Sequence, residues 1–259
     1  MKFLERLAQL RESEERGILF TAVEGDGVGT KVLVLESGER VGDGLEEATA
    51  QFDELIRRGR NRLVTLEDGT KVFAEWYGPP PRLLVYGAVD TAEAMCRGAK
   101  LLGWHAIVAD ARGKFATPER IPSADELIVA WPEEAFAQIK PDHQTAIVVL
   151  THDDKFDEPA LIGALATEAF YIGALATEAF YIGALGSRRN QERRKERLLE
   201  AGVAEEELVR IMGPCGLDIG ADTQEETALS ILSEILAVRG EREGGFLKDA
   251  KKRIHVEVE

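Results

Sequence analysis

Cysteine and histidine are scarce in this chain of 259 residues, which contains two cysteines and four histidines. Two cysteines cannot form the disulfide framework of a small secreted domain, and no Cys-x-x-Cys pair is present to bind zinc. The histidines (His105, His143, His152 and His255) have no spacing that is typical of a metal site. The sequence therefore predicts neither metal ligands nor a disulfide-stabilised fold.

Basic residues are outnumbered, since 32 Lys and Arg stand against 47 Asp and Glu and give a formal net charge of −15. Proteins that bind phosphate backbones need a net basic face, so this balance argues against a nucleic-acid partner. The N-terminal segment MKFLERLAQLRESEE is charged and amphipathic, unlike a signal peptide. We expect a cytoplasmic protein with reduced thiols.

One apolar stretch, residues 161–185, is long enough to span a bilayer. Its two glutamates and its many Gly, Ala and Thr residues favour a buried helix and strand, so no membrane partner is expected. Within it, residues 162–171 read IGALATEAFY and residues 172–181 repeat them without a change. A tandem duplication, an engineered insertion or an error in the sequence would explain this repeat. Either one copy loops out or a helix is lengthened, which rotates its face by about 80°.

Three consecutive prolines, residues 79–81, predict an extended linker, because proline fixes φ and lacks an N–H. Before them, residues 1–78 mix helical and strand patterns and predict a small α+β N-terminal domain. After them, residues 82–240 alternate short apolar runs with helical stretches, which is typical of a parallel sheet with helices on both faces. We therefore predict an α/β fold with a C-terminal Rossmann-like domain, followed by an extension over residues 241–259.

Local patterns predict particular helices and turns. One helix is expected over residues 45–59, and a hairpin is expected to turn at Asp68 and Gly69. A capping box formed by Thr223 and Glu226 predicts the start of the last long helix.

A glycine turn follows the first apolar run of the predicted sheet. Gly87 precedes a helix, which is the position where a dinucleotide fold binds a pyrophosphate. Val89 replaces the second glycine of that fingerprint, and Asp90 adds a negative charge. Asp110 ends the next apolar run, as an acid that binds the ribose of NAD would. The turn either binds a nucleotide or is only a structural turn of the sheet.

Polar residues also follow the apolar run at residues 146–150. Thr151, His152 and Asp153 lie where ligands bind in open α/β sheets, and His152 is a candidate hydrogen-bond donor or proton shuttle. In the alternative interpretation, a carboxylate of this segment caps the next helix, which Pro159 helps to start.

The segment GALGSRR, residues 183–189, is the strongest local signal. A strand with Gly183 leads through Gly186 and Ser187 to a helix that begins with Arg188 and Arg189. Free amides, a hydroxyl and guanidinium groups together favour an anion site. The glycine-rich loop at residues 213–220 adds Gly216 and Asp218 as candidate ligand contacts, or it is only a tight turn.

Taken together, these segments resemble the XdhC/CoxI family of accessory proteins for molybdenum hydroxylases. The resemblance covers roughly residues 82–240 and rests on the Gly87 turn, GWHAIVADAR (103–112), Thr151-His152-Asp153, GALGSRR (183–189) and GPCGLDIGADTQEETALSILSEI (213–235). It implies a Rossmann-like domain that binds molybdenum cofactor (molybdopterin) and passes it to a xanthine-dehydrogenase-like apoenzyme. The implied role is that of a chaperone in place of a catalyst.

The resemblance also implies a homodimer and leaves a sulfurase open as a second partner. The candidate cofactor-binding residues are Gly87, Asp110, Thr151, His152, Asp153, Gly183, Gly186, Ser187, Arg188, Arg189, Gly216 and Asp218. The chain departs from the family at Val89 and Asp90, where glycine and histidine are usual, and it lacks the usual N-terminal cysteine. Two alternatives therefore stay open: an NAD-dependent oxidoreductase, and a degenerate member that acts only through protein contact.

Overall fold

The computed structural model describes residues 2–151, 153–166, 181–184 and 188–250. The chain divides into two compact units. The first comprises the described residues up to Pro79 together with residues 245–250, and the second comprises Pro80–Gly244. No helix in the described part of the chain is both long enough and apolar enough to cross a membrane.

The first unit is an antiparallel sheet with helices on both faces. Its strands are β1 (Gly17–Glu24), β2 (Lys31–Leu35), β3 (Arg40–Val41), β4 (Arg62–Thr65) and β5 (Lys71–Tyr77), in the order β3-β2-β1-β5-β4. Its helices are α1 (Lys2–Glu12), α2 (Glu46–Thr49) and α3 (Phe52–Arg58), with a 3-10 turn at Leu247–Asp249. Successive residues of a strand face opposite sides, so Phe20 packs in one core and Leu19 in the other.

The single helix predicted over residues 45–59 is wrong, because two short helices occupy this stretch. The amide of Gln51 donates to the carbonyl of Ala48, three residues back, and Gln51 has ψ near 6°. This tighter turn interrupts the α-helical hydrogen bonds between α2 and α3. The predicted hairpin is confirmed: Gly69 has φ +86°, and the Asp68 carboxylate accepts from the Thr70 amide at 2.8 Å.

The second unit contains a parallel sheet. Its strands are β6 (Arg82–Tyr86), β7 (His105–Ala109), β8 (Glu126–Ile128), β9 (Thr145–Val149), β10 (Tyr181–Ala184) and β11 (Ile211–Met212). They pair in parallel in the order β8-β7-β6-β9-β10-β11. This is the doubly wound order of a Rossmann domain, and it reverses between β6 and β9. The predicted fold class is confirmed.

Helices cover both faces of this sheet. They are α4 (Asp90–Leu101), α5 (Pro132–Ile139), α6 (Asp154–Leu165), α7 (Arg188–Glu200), α8 (Glu205–Leu208) and α9 (Gln224–Arg239). One core joins residues of α4 and α9 to Leu83 and Val85, and the other joins residues of α5 and α6 to Leu84 and Tyr86. The apolar runs of the sequence are therefore strands buried on both faces.

Helix α6 begins earlier than the position of Pro159 indicates. The Asp153 side chain accepts from the amide of Lys155 at 3.1 Å and caps the helix, so Pro159 lies inside it. The cap satisfies a first-turn amide that otherwise lacks a partner, and this fixes the start. Residues 167–180, which hold most of the repeat, and residues 251–259 of the predicted extension lie outside the described residues.

The capping box at Thr223 is confirmed and gives the first test. Thr223 accepts from the Glu226 amide at 3.1 Å, and the Glu226 carboxylate accepts from the Thr223 amide at 2.9 Å. We expect Thr223→Ala to lower the free energy of unfolding by about 1 kcal/mol. Thr223→Asp keeps an acceptor and should retain most of that stability, as measured by urea unfolding. Equal losses in the two variants would contradict the role of the cap.

Candidate functional site

The loops that follow β6 and β9 meet at the point where the strand order reverses. Gly87 has φ +115°, and a Cβ atom there would lie 2.9 Å from both the amide nitrogen and Cγ2 of Thr151. The amide of Leu150 donates to the carbonyl of Tyr86 at 2.8 Å and continues the pairing of β6 with β9 into this region. The structure thus brings Gly87 and Thr151 together, and only glycine suits position 87.

The loop after β9 is fixed by two carboxylates. Thr151 is buried and its hydroxyl hydrogen-bonds to the buried carboxylate of Asp157, while Asp153 caps α6. These contacts hold the backbone on both sides of residue 152. The candidate His152 itself lies outside the described residues.

Asp110, at the end of β7, is buried and accepts several hydrogen bonds. Its side chain is 1% exposed, and its carboxylate accepts from the Ala88 amide at 2.9 Å. It also accepts three hydrogen bonds from Arg112: one from the amide at 2.9 Å, one from the side-chain Nε at 2.9 Å and one from Nη2 at 2.8 Å. The carboxylate therefore connects the glycine turn to the Arg112 guanidinium, and a ribose hydroxyl would have to compete with these bonds.

Two pKa shifts follow from this arrangement. Burial acts to raise the pKa of Asp110, but the hydrogen bonds from Arg112 and from the amides of Arg112 and Ala88 outweigh it and lower the pKa. Burial also raises the pKa of Tyr86, whose hydroxyl donates to the Ala130 carbonyl at 3.1 Å. At neutral pH, Asp110 is thus a carboxylate and Tyr86 is a protonated donor.

Helix α4 begins at the same edge of the sheet. Its N-cap residue is Val89, whose side chain cannot accept a hydrogen bond from the first-turn amides. Val89 is half-buried and packs against the core, and the Asp90 carboxylate pairs with Arg120 at 2.9 Å. The charge that Asp90 adds is therefore partly offset by a neighbouring cation.

The predicted anion segment, residues 183–189, begins within β10, the neighbour of β9, and ends in α7. Gly183 lies in β10 and pairs with Val148 and Met212. Arg188 and Arg189 are the first residues of α7, so their backbone lies beyond the carboxyl end of β10. Gly186 and Ser187 lie outside the described residues.

The loop after β11 packs on α9. The Gly216 amide donates to Glu234 Oε2 at 3.0 Å, and a Cβ at this residue would lie 2.4 Å from Ser230 Oγ. Ser230 Oγ in turn donates to the Leu217 carbonyl at 2.6 Å, while Asp218 is exposed. These contacts make Gly216 a packing residue in the structure and leave Asp218 accessible.

The two cysteines differ in their surroundings. Cys96 is buried in α4, and burial raises the pKa of its thiol to about 12, as expected for a packing residue. Cys215 is half-buried in the loop after β11 and packs against the same core. Within the described ranges, no group of three or more His, Cys, Asp and Glu side chains could hold a metal ion.

A cluster of cations and aromatic rings at this edge was not predicted. Arg112 lies 4.4 Å from the ring of Phe115 and 5.2 Å from that of Phe156. Lys155 lies 5.0 Å from the ring of Trp131, which is tilted by 46° against Phe156 at 5.2 Å. We call Trp131, Lys155 and Phe156 the aromatic platform. The sequence signals were Arg112 two residues after Asp110 and the adjacent pair Lys155-Phe156, whereas Trp131 is distant from both.

A parallel sheet in this order, with a glycine turn at its reversal point, defines a Rossmann-type domain. The chain belongs to the XdhC family, because the family model described as the XdhC Rossmann domain matches residues 83–235. The resemblance seen in the sequence is thereby confirmed.

Three curated relatives are similar to this chain. It is 33% identical over 68% of its length to the uncharacterized protein YqeB of Escherichia coli K12. It is 32% identical over 66% of its length to a Bacillus subtilis 168 protein described as a probable xanthine dehydrogenase subunit. It is 31% identical over 64% of its length to the molybdenum cofactor insertion chaperone PaoD of E. coli K12. The matches cover 30%, 46% and 43% of these relatives, so the chain spans less than half of their lengths.

A solved structure supports the fold. A crystal structure described as a xanthine dehydrogenase from Bacillus halodurans superposes with a TM-score of 0.53 at 18% identity. The superposition covers 94% of this chain and 98% of the other. At this identity the likeness concerns the fold alone.

The close approach of the loops after β6 and β9 at Gly87 gives a second test. We expect Gly87→Ala to lower the free energy of unfolding by about 2–4 kcal/mol, because it adds a steric clash to a positive φ. Gly103→Ala is the matched control, since Gly103 has φ +72° but open space around it. Gly103→Ala should lower the free energy of unfolding by only about 1–2 kcal/mol. Equal losses in urea unfolding would contradict the close approach of the loops.

The Asp110 carboxylate gives a third test, through pH. Its pKa is lower in the folded state than in the unfolded chain. The ionised carboxylate therefore stabilises the fold at pH values above its ordinary pKa of about 4, and this stabilisation is lost as the pH falls through the folded-state pKa. We expect Asp110→Asn to cost about 1.5–3 kcal/mol at pH 7. The difference in free energy of unfolding between this variant and the wild type should become smaller below pH 4, as measured by urea unfolding at a series of pH values. If the loss of unfolding free energy in Asp110→Asn is the same at every pH, an ionised Asp110 carboxylate is not its cause.

Proposed function

We propose that this chain binds molybdenum cofactor and delivers it to a xanthine-dehydrogenase-type molybdenum hydroxylase. The observation that carries the proposal is the meeting of the loops after β6 and β9 at the switch point, with the basic start of α7 beyond the neighbouring strand. The names of the PaoD and B. subtilis relatives support the same role.

The residues at this edge fit an anionic cofactor. The pterin of molybdenum cofactor carries a phosphate or a dinucleotide, and phosphate is bound by helix N-terminal amides and guanidinium groups. The first turn of α4 offers amides that Val89 does not cap, and α7 begins with Arg188 and Arg189. Arg112 adds a third guanidinium, which Asp110 holds in place. We propose that these groups bind the anionic end of the cofactor.

The contacts of the site indicate binding and positioning. The Asp110 carboxylate fixes the Ala88 amide and Arg112, while the bond between Thr151 and Asp157 fixes the opposite loop. Such a preorganised surface lowers the entropic cost of holding a ligand. When bound, the cofactor would carry the molybdenum centre that the recipient hydroxylase uses. The chain's own residues would hold it until transfer, as a chaperone does.

The first residue of α7 gives the test of this proposal. We expect Arg188→Ala to weaken binding of molybdenum cofactor by about 1.5–3 kcal/mol, because a charge-assisted contact to the anion is lost. Binding would be measured at equilibrium under anaerobic conditions with the purified full chain. Arg193→Ala is the matched control, because it removes the same charge from an exposed position farther along α7.

An unchanged affinity in Arg188→Ala, or equal losses in both variants, would remove Arg188 from the site. NAD(H) serves as the competitor in the same measurement. Cofactor binding that NAD(H) does not displace supports the maturation role. Binding of NADH without cofactor binding would replace it with the oxidoreductase alternative, and binding of neither ligand would favour a member that acts by protein contact alone.

A further inference from the structure

Trp131 leaves a large aromatic surface in contact with solvent at the carboxyl edge of the parallel sheet. It is 45% exposed, whereas Trp104 in the same unit is only 5% exposed. Trp131 is the N-cap residue of α5, but its side chain makes no capping hydrogen bond. The start of the helix therefore does not require an indole at this position.

Phe156 packs against this exposed indole in a tilted arrangement. Phe156 is 7% exposed and packs in the core on the α5 and α6 face, so its ring is held in place. The two ring centroids lie 5.2 Å apart, which is within the range of favourable aromatic pairs. A rigid aromatic surface that faces solvent suits stacking with a planar ligand, because little conformational entropy is lost on binding.

A cation lies beside the exposed indole, in a region that also carries the carboxylates of Glu133, Glu134 and Asp153. The Lys155 ammonium lies 5.0 Å from the centre of the Trp131 ring and 5.7 Å from that of Phe156. In the described part of the chain, no carboxylate lies within ion-pair distance of Lys155. An exposed ammonium beside an exposed indole favours an anionic aromatic ligand.

The aromatic platform is continuous with the glycine turn. The Ala88 amide donates to Asp110, Asp110 binds Arg112, and the Arg112 guanidinium lies 5.2 Å from the ring of Phe156. A ligand whose phosphate lies near the turn would therefore have its planar part within reach of Trp131.

We propose that the aromatic platform binds a planar nitrogen heterocycle that carries an anionic group, with Trp131 stacking on the ring and Lys155 contacting the charge. The inference rests on the proposed function and deepens it, since two parts of the cofactor have this chemistry. One is the base of a nucleotide tail, and the other is the pterin itself.

The test uses small probes and the full chain. CMP, AMP and 6-carboxypterin would be titrated by equilibrium dialysis, and quenching of tryptophan fluorescence would be recorded in parallel. We expect saturable binding of at least one probe, weakened at least fivefold or so in Trp131→Ala, since stacking on an aromatic side chain is worth about 1–3 kcal/mol. Lys155→Gln should weaken the same probe and reduce the dependence of binding on salt.

Trp76→Phe is the matched control, because it alters a tryptophan of the first unit and should leave probe binding unchanged. Lys155→Gln changes only an exposed side chain, so it keeps the proposal testable should Trp131→Ala unfold. Binding of CMP or AMP alone identifies the nucleotide, and binding of 6-carboxypterin alone identifies the pterin. No saturable binding of any probe, or unchanged affinity in both platform variants, overturns the proposal.

The same variants separate this proposal from the proposed function. Cofactor binding that Arg188→Ala weakens but Trp131→Ala and Lys155→Gln do not would overturn the platform alone. Probe binding at Trp131 in a chain that binds no molybdenum cofactor would overturn the proposed function and leave the platform standing.

Discussion

The close contact between Gly87 and Thr151 is the constraint on which the site depends. The loops after β6 and β9 approach each other so closely that no Cβ fits at position 87, and their helices then pack on opposite faces of the sheet. Both helices therefore begin at the same crevice, but their starts differ. Asp153 caps α6, whereas Val89 leaves the first-turn amides of α4 without a side-chain acceptor. The start of α4 therefore has amides that the Val89 side chain cannot cap, although its first turn also carries the carboxylates of Asp90 and Glu93.

The buried carboxylate of Asp110 determines what else can reach this crevice. Its position at the end of β7 suggested a ribose ligand, but in the structure both oxygens bind groups of the protein itself. A ribose would have to displace hydrogen bonds to a guanidinium and an amide, and each such bond to a charged group is worth about 1.5–3 kcal/mol. The competition weighs against the dehydrogenase alternative. It makes Asp110 a positioning residue for Arg112 and for the Ala88 amide.

The sequence predicted those features that depend on neighbouring residues. Apolar runs located the buried strands, and the spacing of Thr223 and Glu226 located the start of α9. Other features depend on tertiary packing. For example, the tripeptide Ile-Gly-Ala is helical at residues 162–164 and forms a strand at residues 182–184. Packing overrides local propensity in such segments. The aromatic platform was missed for a different reason, since Trp131 meets Lys155 and Phe156 only in the folded domain.

The net charge of −15 raises the question of how such a chain attracts an anion at all. The Debye length at physiological ionic strength is about 8 Å, so carboxylates elsewhere on the surface are largely screened. Local charge then matters most, and the edge of the sheet carries the cations Arg112, Lys155 and the basic start of α7 together with the carboxylates of Asp90, Asp110 and Asp153. Arg112 forms an ion pair with Asp110, whereas Lys155 lies beside the exposed ring of Trp131. A net charge of −15 is therefore compatible with the proposed binding of a small, planar anion at this edge.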